Sequence, residues 1–278
     1  MNPSTVRFCL ICIFLCARFF TSAQTLPQAD SLFQRGEFLQ AGIAYERLIY
    51  QGDKRVNTLL LKKAYCYKAR HLYEEAYQIL QRADLFIEHD SLKWDLYYES
   101  MLTAWLAGKN DLAMNKVQEL RYYFPSVAHP MTDLVEILSL NQQHRFADAE
   151  IKLKAAIRNH HLTGDSLIYQ DRRFRLRNPE KAHDLSLFLP GVGQWYAGYT
   201  GRGLTSGLIQ AGFVAFTITS FLNGYYLSGV YTGVGLFYLF NSGGARHARY
   251  LAEKKNGEIV ENLNAAVQER FRSAVLKK

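Results

Sequence analysis

Apolar and polar positions recur with a helical period through the first half of the chain, and the period itself repeats. Four segments align: "RGEFLQAGIAYERL", "ARHLYEEAYQILQRA", "AGKNDLAMNKVQEL" and "QHRFADAEIKLKAA". Gly36, His71, Gly108 and His144 fall at spacings of 35, 37 and 36 residues. Ala41, Ala76, Ala113 and Ala149 keep those spacings, as do Tyr45, Leu80, Val117 and Leu153, and then Leu48, Ala83, Leu120 and Ala156. An alanine followed by apolar residues four and seven places on marks one helical face. The pattern predicts a helix–turn–helix unit repeated four times, each covering an apolar face of the one before.

The helical period fades after His161. Residues 161–184 form a basic connector with Arg172, Arg173, Arg175, Arg177 and Lys181, partly offset by Asp171, Glu180 and Asp184. Such a run is a solvated linker or a juxtamembrane segment that meets acidic lipid headgroups. The turn-rich stretch "LSLFLPGVGQWYAGYTGRG" follows. From Gly203 to Ala245 there is then no Asp, Glu, Lys, Arg or His over 43 residues. One helical span needs about 20 residues, so the length predicts two spans, Leu204 to Leu222 and Tyr225 to Ser242, joined by "NGYYLSG". Small residues four apart, such as Gly203 and Gly207 or Gly229 and Gly233, permit close packing of two helices in lipid. In the tail, Ile259, Leu263, Val267, Phe271 and Val275 stand at four-residue spacing, an amphipathic helix whose default role is packing. The predicted class is all-α.

The N-terminus, "MNPSTVRFCLICIFLCARFFTSAQ", has Arg7 before an apolar run and "TSA" before Gln24, a secretory signal pattern with a short uncleaved anchor as its alternative. Three of the four cysteines lie there, which leaves Cys66 as the sole thiol of a processed chain. One thiol makes no internal disulfide and no zinc site. The predicted organisation is therefore a signal at 1–23, four repeats at 24–160, the connector at 161–184, a turn and hairpin at 185–250, and a tail helix at 251–278.

The repeats resemble the tetratricopeptide family over Leu26 to His160, with histidine in place of glycine at 71 and 144 and Asn110 in place of the aromatic residue. That resemblance implies a helical solenoid whose first helices line a concave face for a protein or peptide. Carried over by position, the face includes Leu61, Tyr65, Lys68, Tyr98, Leu102, Trp105, Leu138 and Asn141. Tyr98, Leu102 and Trp105 at i, i+4 and i+7 also make an ordinary core stripe. Lys68 and Asn141 do not reproduce the family's carboxylate clamp, and the aromatic and leucine content points to an apolar or amphipathic partner.

The segment "LPGVGQWYAGYTGRG" with the two apolar stretches after it resembles TM2-type domains and a related bacterial hairpin domain of uncharacterised function, over Leu185 to Tyr250. The motif residues are Pro190, Gly191, Gly193, Gln194, Tyr196, Gly198 and Gly203. The resemblance implies a membrane location and supplies no activity.

The glycine-rich turn is not a phosphate loop, because no Gly-Lys-Ser or Gly-Lys-Thr follows it. It is not a dinucleotide fingerprint either, because no acid lies in the following 43 residues. Trp195, Tyr196 and Tyr199 suit a headgroup zone. His160 and His161 are adjacent, read as solvated cap residues rather than a metal pair. Glu74 and Glu75 read as exposed helix charge. The chain has 278 residues, 49% of them apolar, and a net charge of +8. Its aromatic content is spread through repeats and spans and forms no nucleic-acid stacking motif.

The expectation is a non-enzymatic scaffold in a bacterial inner membrane that binds a protein or peptide and membrane lipid. No cofactor, metal, nucleic acid or small-molecule substrate is indicated. A leader would place the repeats in the periplasm, although the basic flanks Arg172–Lys181 and Arg246–Lys255 favour the cytoplasm. The rival is a membrane enzyme, a transporter-like subunit or a membrane-protein insertion helper acting through the hairpin. It would need ionisable groups within the spans, where the sequence has only Gln210, Asn223, Asn241 and hydroxyls.

Overall fold

A computed structural model describes residues 25–86, 89–162 and 167–275. The segment expected to be a signal, with Cys9, Cys12 and Cys16, lies outside the described residues. All regular structure among the described residues is helical. It forms two compact units, one ending at Ala128 and the other beginning at His129.

The first unit holds α1 (Leu26–Gln34), α2 (Phe38–Tyr50), α3 (Val56–Ala69), α4 (Tyr73–Leu80), α5 (Asp90–Leu106) and α6 (Asn110–Tyr123), each packed on the next. The turns within pairs share one geometry. Gly36, His71 and Gly108 have φ of 78°, 60° and 75°. At each, the left-handed residue donates its N–H three residues back, and the next residue donates five back. Gly36 bonds to Phe33 at 3.0 Å and Glu37 to Leu32 at 3.0 Å; His71 bonds to Lys68 at 3.0 Å and Leu72 to Tyr67 at 3.0 Å. This is the Schellman closure, which satisfies the last carbonyls of the first helix. Histidine tolerates the left-handed region better than most side chains, so the glycine position survives its replacement.

The aligned alanines explain how the paired helices meet. Ala41, Ala76 and Ala113 are fully buried, and Tyr45, Leu80 and Val117 are buried one helical turn later. Ala83 departs from the pattern: α4 ends at Leu80, so Ala83 lies beyond the helix and is only half-buried. Polar braces add to the apolar contacts. Tyr45 donates to Asp30 Oδ1 at 2.7 Å, and Lys62 Nζ reaches both Asp30 oxygens at 2.7 Å. Burial pushes the Asp30 carboxyl up, but the bonds from Lys62 and Tyr45 outweigh it and hold the group below the usual carboxylate range.

The second unit begins with a further pair, α7 (Pro130–Gln142) and α8 (Phe146–His160), and its turn residue His144 has φ 59°. His144 and Arg145 repeat the closure, bonding to Asn141 at 3.0 Å and Leu140 at 2.9 Å. Ala149 and Leu153 are fully buried, like their counterparts in the first unit. Two short 3₁₀ turns, Leu167–Gln170 and Arg172–Phe174, lead to α9 (Pro179–Phe188), capped by Asn178, whose side chain accepts from Lys181 N. Then come α10 (Val192–Tyr196), α11 (Thr200–Leu222), the one-turn α12 (Tyr226–Ser228), a π-helical segment (Gly229–Val234) and α13 (Gly235–Val275).

Helix α11 is long and apolar enough to cross a membrane, with 23 residues and a mean hydropathy of 1.4 over its most apolar 18. It packs against the returning chain through small residues. A Cβ at Gly233 would sit 2.1 Å from Thr217 Oγ1, and one at Gly229 2.7 Å from the Phe221 ring. The rings of Phe213 and Phe240 meet at 5.1 Å. The expected tail helix is not a separate element: α13 starts within the second apolar stretch, at Gly235, and runs unbroken into the tail. At 1.5 Å per residue it is about 60 Å long. Its far half packs inward through Ile259, Leu263, Val267 and Phe271, all buried, and it contacts both α7 and α9.

Candidate functional site

The segment expected to be a turn at the membrane entry is a packed junction of α9, α10, α11 and α13. Gly191 opens α10 at φ 92°, and a Cβ there would lie 2.1 Å from the Gly203 carbonyl oxygen. At Gly193 a Cβ would lie 1.9 Å from the Ala182 carbonyl oxygen and 2.4 Å from Ser186 Oγ. At Gly203 it would lie 2.1 Å from the Trp195 indole. These three glycines are places where helices touch backbone to side chain or backbone to backbone. Gly198 is different, since it has φ 92° but open space around it, and serves only the turn.

Gln194 is the polar centre of the junction and is 1% exposed. Its Oε1 accepts from Ser186 Oγ at 2.9 Å, and its Nε2 donates to the Gly244 carbonyl at 3.1 Å. Ser186 in turn accepts from Gly193 N at 3.1 Å. Thus the glutamine of the motif ties α9 and α10 to α13 with each bond satisfied inside the fold.

The three aromatic residues also have assigned polar edges. Trp195 Nε1 donates to the Thr200 carbonyl at 2.9 Å, Tyr196 OH accepts from Asn178 N at 3.0 Å, and Tyr199 OH donates to Glu258 at 3.2 Å. The connector cations are partly held in the same region. Arg177 and Lys181 lie over the Tyr196 ring at 5.8 and 5.5 Å. Arg249 pairs with Glu180, and Asn256 bonds both the N–H and the carbonyl of Arg177. Pro190 contributes its carbonyl, 3.3 Å from where a Cβ on Gly207 would stand.

No protein-family model matches the chain, and neither does a curated protein or a solved structure.

Of the residues expected to line a groove, Leu61, Tyr65, Lys68, Tyr98, Leu102 and Trp105 belong to the first unit and Leu138 and Asn141 to the second. In the first unit, Leu61 is buried, while Tyr65, Tyr98, Leu102 and Trp105 are half-buried. Tyr65 lines a cleft of about 250 Å³ with Asp30, Phe33, Gln34, Tyr45 and Lys62. Lys68 pairs with the buried carboxylate of Glu99 and lies over the Tyr65 ring at 4.9 Å, so its charge is already engaged. Tyr98 stacks on Trp94 at 4.7 Å, and burial with the Glu99 charge nearby pushes its phenol up to about 12. In the second unit, Leu138 and Asn141 are fully buried. Asn141 Nδ2 donates to Asn264 at 2.9 Å, and its Oδ1 accepts from Tyr169 at 3.0 Å. Its amide is a tie to α13.

Other candidate residues also find structural partners. His160 is not a solvated cap: its Nε2 lies 2.8 Å from Asp133 and its side chain is buried. His161 is the cap, at φ 51°. Glu74 bridges to Lys109 and accepts from Gln78. Burial pushes the Cys66 thiol up to about 11, which makes it a poor nucleophile. Among the described residues no group of three or more His, Cys, Asp or Glu is placed to hold a metal ion.

One surface escaped the sequence reading. Leu39, Ile43 and Tyr50 are exposed on α2 and line a cleft of about 400 Å³ with Phe38 and Tyr67. The signal was present: α2 carries Ala41, Tyr45 and Leu48 on its buried face and a second apolar row at positions 39 and 43.

Proposed function

We propose that the chain is a membrane-anchored adaptor whose helix pairs, which resemble tetratricopeptide repeats, receive a protein or peptide. The anchor is α11 together with the apolar arm from Tyr226 to Ser242, crossing as a two-span hairpin. The observation that carries this reading is the surface of α11. Only 11% of its most apolar 18-residue window is buried, and Leu208, Ile218 and Leu222 are 65%, 53% and 80% exposed. Water disfavours that display by about 25 cal/mol for each Å² of apolar surface, whereas lipid accepts it.

The returning arm has the same character, with Tyr231, Tyr238 and Leu239 at 78%, 70% and 63% exposed. The junction gives the anchor a rigid base, because Gly191, Gly193, Gly203 and Gln194 lock α9 and α10 onto the two apolar arms. A scaffold role is supported by repeated pairs with half-buried aromatics and by the engagement of the candidate polar groups in structural bonds. The setting proposed is a bacterial inner membrane, with the repeats on the periplasmic side.

Two tests address the two halves. Carbonate-washed membranes should retain the full chain, and only detergent should release it; release by carbonate alone would remove the anchor. A photo-crosslinking residue at Trp105 or Tyr65 should trap a protein that the same residue at Lys254 does not. Identical trapping at all three positions would remove the binding face.

A further inference from the structure

A cavity of about 800 Å³ opens beside the junction, lined by Gln194 of α10 and by the first turns of α11 and of α13. Its lining changes character along the helices. At one end stand Arg202, His247 and Ser206; at the other stand Ile209, Leu239 and Phe240. No carboxylate lines it. We propose that this cavity holds a membrane phospholipid with an anionic headgroup, the phosphate against Arg202, His247 and Ser206 and an acyl chain along Ile209, Leu239 and Phe240.

The donors are arranged for an anion. Arg202 lies over the Tyr199 ring at 5.5 Å and has no ion-pair partner among the described residues. Gln210 Nε2 donates to Ser206 Oγ at 3.3 Å. That bond occupies the serine oxygen as an acceptor and leaves its proton to donate. Gln210 is 2% exposed, so this arrangement is built into the helix rather than displayed on the surface. His247 adds an imidazole N–H, and its ring stacks on Tyr250 at 6.3 Å. Charge-assisted donors of this kind favour phosphate oxygens.

The length fits a headgroup continued by a chain. Arg202 to Ile209 spans about 10 Å and His247 to Leu239 about 12 Å at the helical rise. A second copy of this chain fits less well, because its own flank at this level carries Arg246, adding positive charge to positive. The proposal rests on the membrane placement of α11.

The test uses the full chain purified in mild detergent from vesicles of equal phosphatidylglycerol and phosphatidylcholine, with retained lipid measured by native mass spectrometry. The wild type should retain phosphatidylglycerol over phosphatidylcholine by about tenfold, and the double variant Arg202→Gln, His247→Gln should lose that preference. Gly243→Phe should also lower retention with the charges kept, because the glycine lines the cavity and its Cβ direction is open. Arg246→Gln, outside the cavity, should leave retention unchanged. Equal retention of both lipids by the wild type overturns the proposal, as does an equal loss in Arg246→Gln or displacement of the lipid by millimolar inorganic phosphate. Flotation of the same samples with vesicles separates the two claims: a floating wild type without lipid preference removes the lipid site alone, and a wild type that does not float removes the membrane anchor as well.

Discussion

The helix pairs and the junction at the base of α11 both depend on glycine, for different reasons. At Gly36 and Gly108 the residue supplies a left-handed turn, and nothing lies within 4 Å of where a side chain would begin. The equivalent positions 71 and 144 are histidine, at φ 60° and 59°. At Gly191 and Gly193 neighbouring carbonyl oxygens occupy the space a Cβ would need, at 2.1 and 1.9 Å. A dihedral preference costs about 1 kcal/mol to violate, whereas a clash with packed backbone requires helices to move apart. The first kind of position accepts a side chain, as His71 and His144 do; at the second, packed backbone stands in its way.

That contrast is breakable by mutation. Gly193→Ala should have the largest effect, about 3 kcal/mol or more of lost stability, read as a lowered thermal midpoint in detergent or as failure to accumulate. Next, Gln194→Leu should cost about 2 kcal/mol, because it leaves Ser186 and the Gly244 carbonyl without their buried partner. Gly36→Ala should cost only about 1 kcal/mol. His144→Gly should change stability by about 0.5 kcal/mol or less, since relief of the left-handed strain offsets the greater freedom of glycine in the unfolded chain. A Gly36→Ala penalty equal to that of Gly193→Ala would erase the distinction.

Asp30 adds a modest pH dependence in the first unit. Asp30 titrates lower in the folded chain than in the unfolded one, where a carboxyl of this type has a pKa of about 3.9. Its contribution is therefore present above about pH 4 and is lost as pH falls through the lower folded value. Asp30→Asn should reduce stability by about 0.5–1 kcal/mol near neutrality. The gap to wild type should narrow below pH 4 in acid titrations followed by circular dichroism.

Much of the fold was legible because it follows local rules. The spacing of Gly36, His71, Gly108 and His144 marked the four turns, and the buried alanines followed in register. The tail stripe from Ile259 to Phe271 also turned inward, as its period implies. Other features depend on contacts that periodicity does not encode. The motif from Pro190 to Gly203 was legible as special, but not as a packed junction. Its glycines are explained by Ala182, Ser186 and Trp195, whose proximity is tertiary. Asn141 and Lys68 were placed on a partner-binding face because the groups that engage them, Asn264 and Glu99, lie 123 and 31 residues away. The unbroken α13 was hidden by its change from an apolar to a charged surface at Arg246, which resembles a boundary although the backbone helix continues through it.

The central claim is that α11 is surrounded by lipid. It is tested most directly by spin labels at Leu208→Cys and Ile218→Cys, with Leu39→Cys as the reference, in a chain whose native cysteines are serine, reconstituted in vesicles. The account predicts that at positions 208 and 218 lipid-soluble oxygen relaxes the label more strongly than a water-soluble nickel chelate does, with the reverse at position 39. Equal or greater access of the chelate to positions 208 and 218 would contradict it.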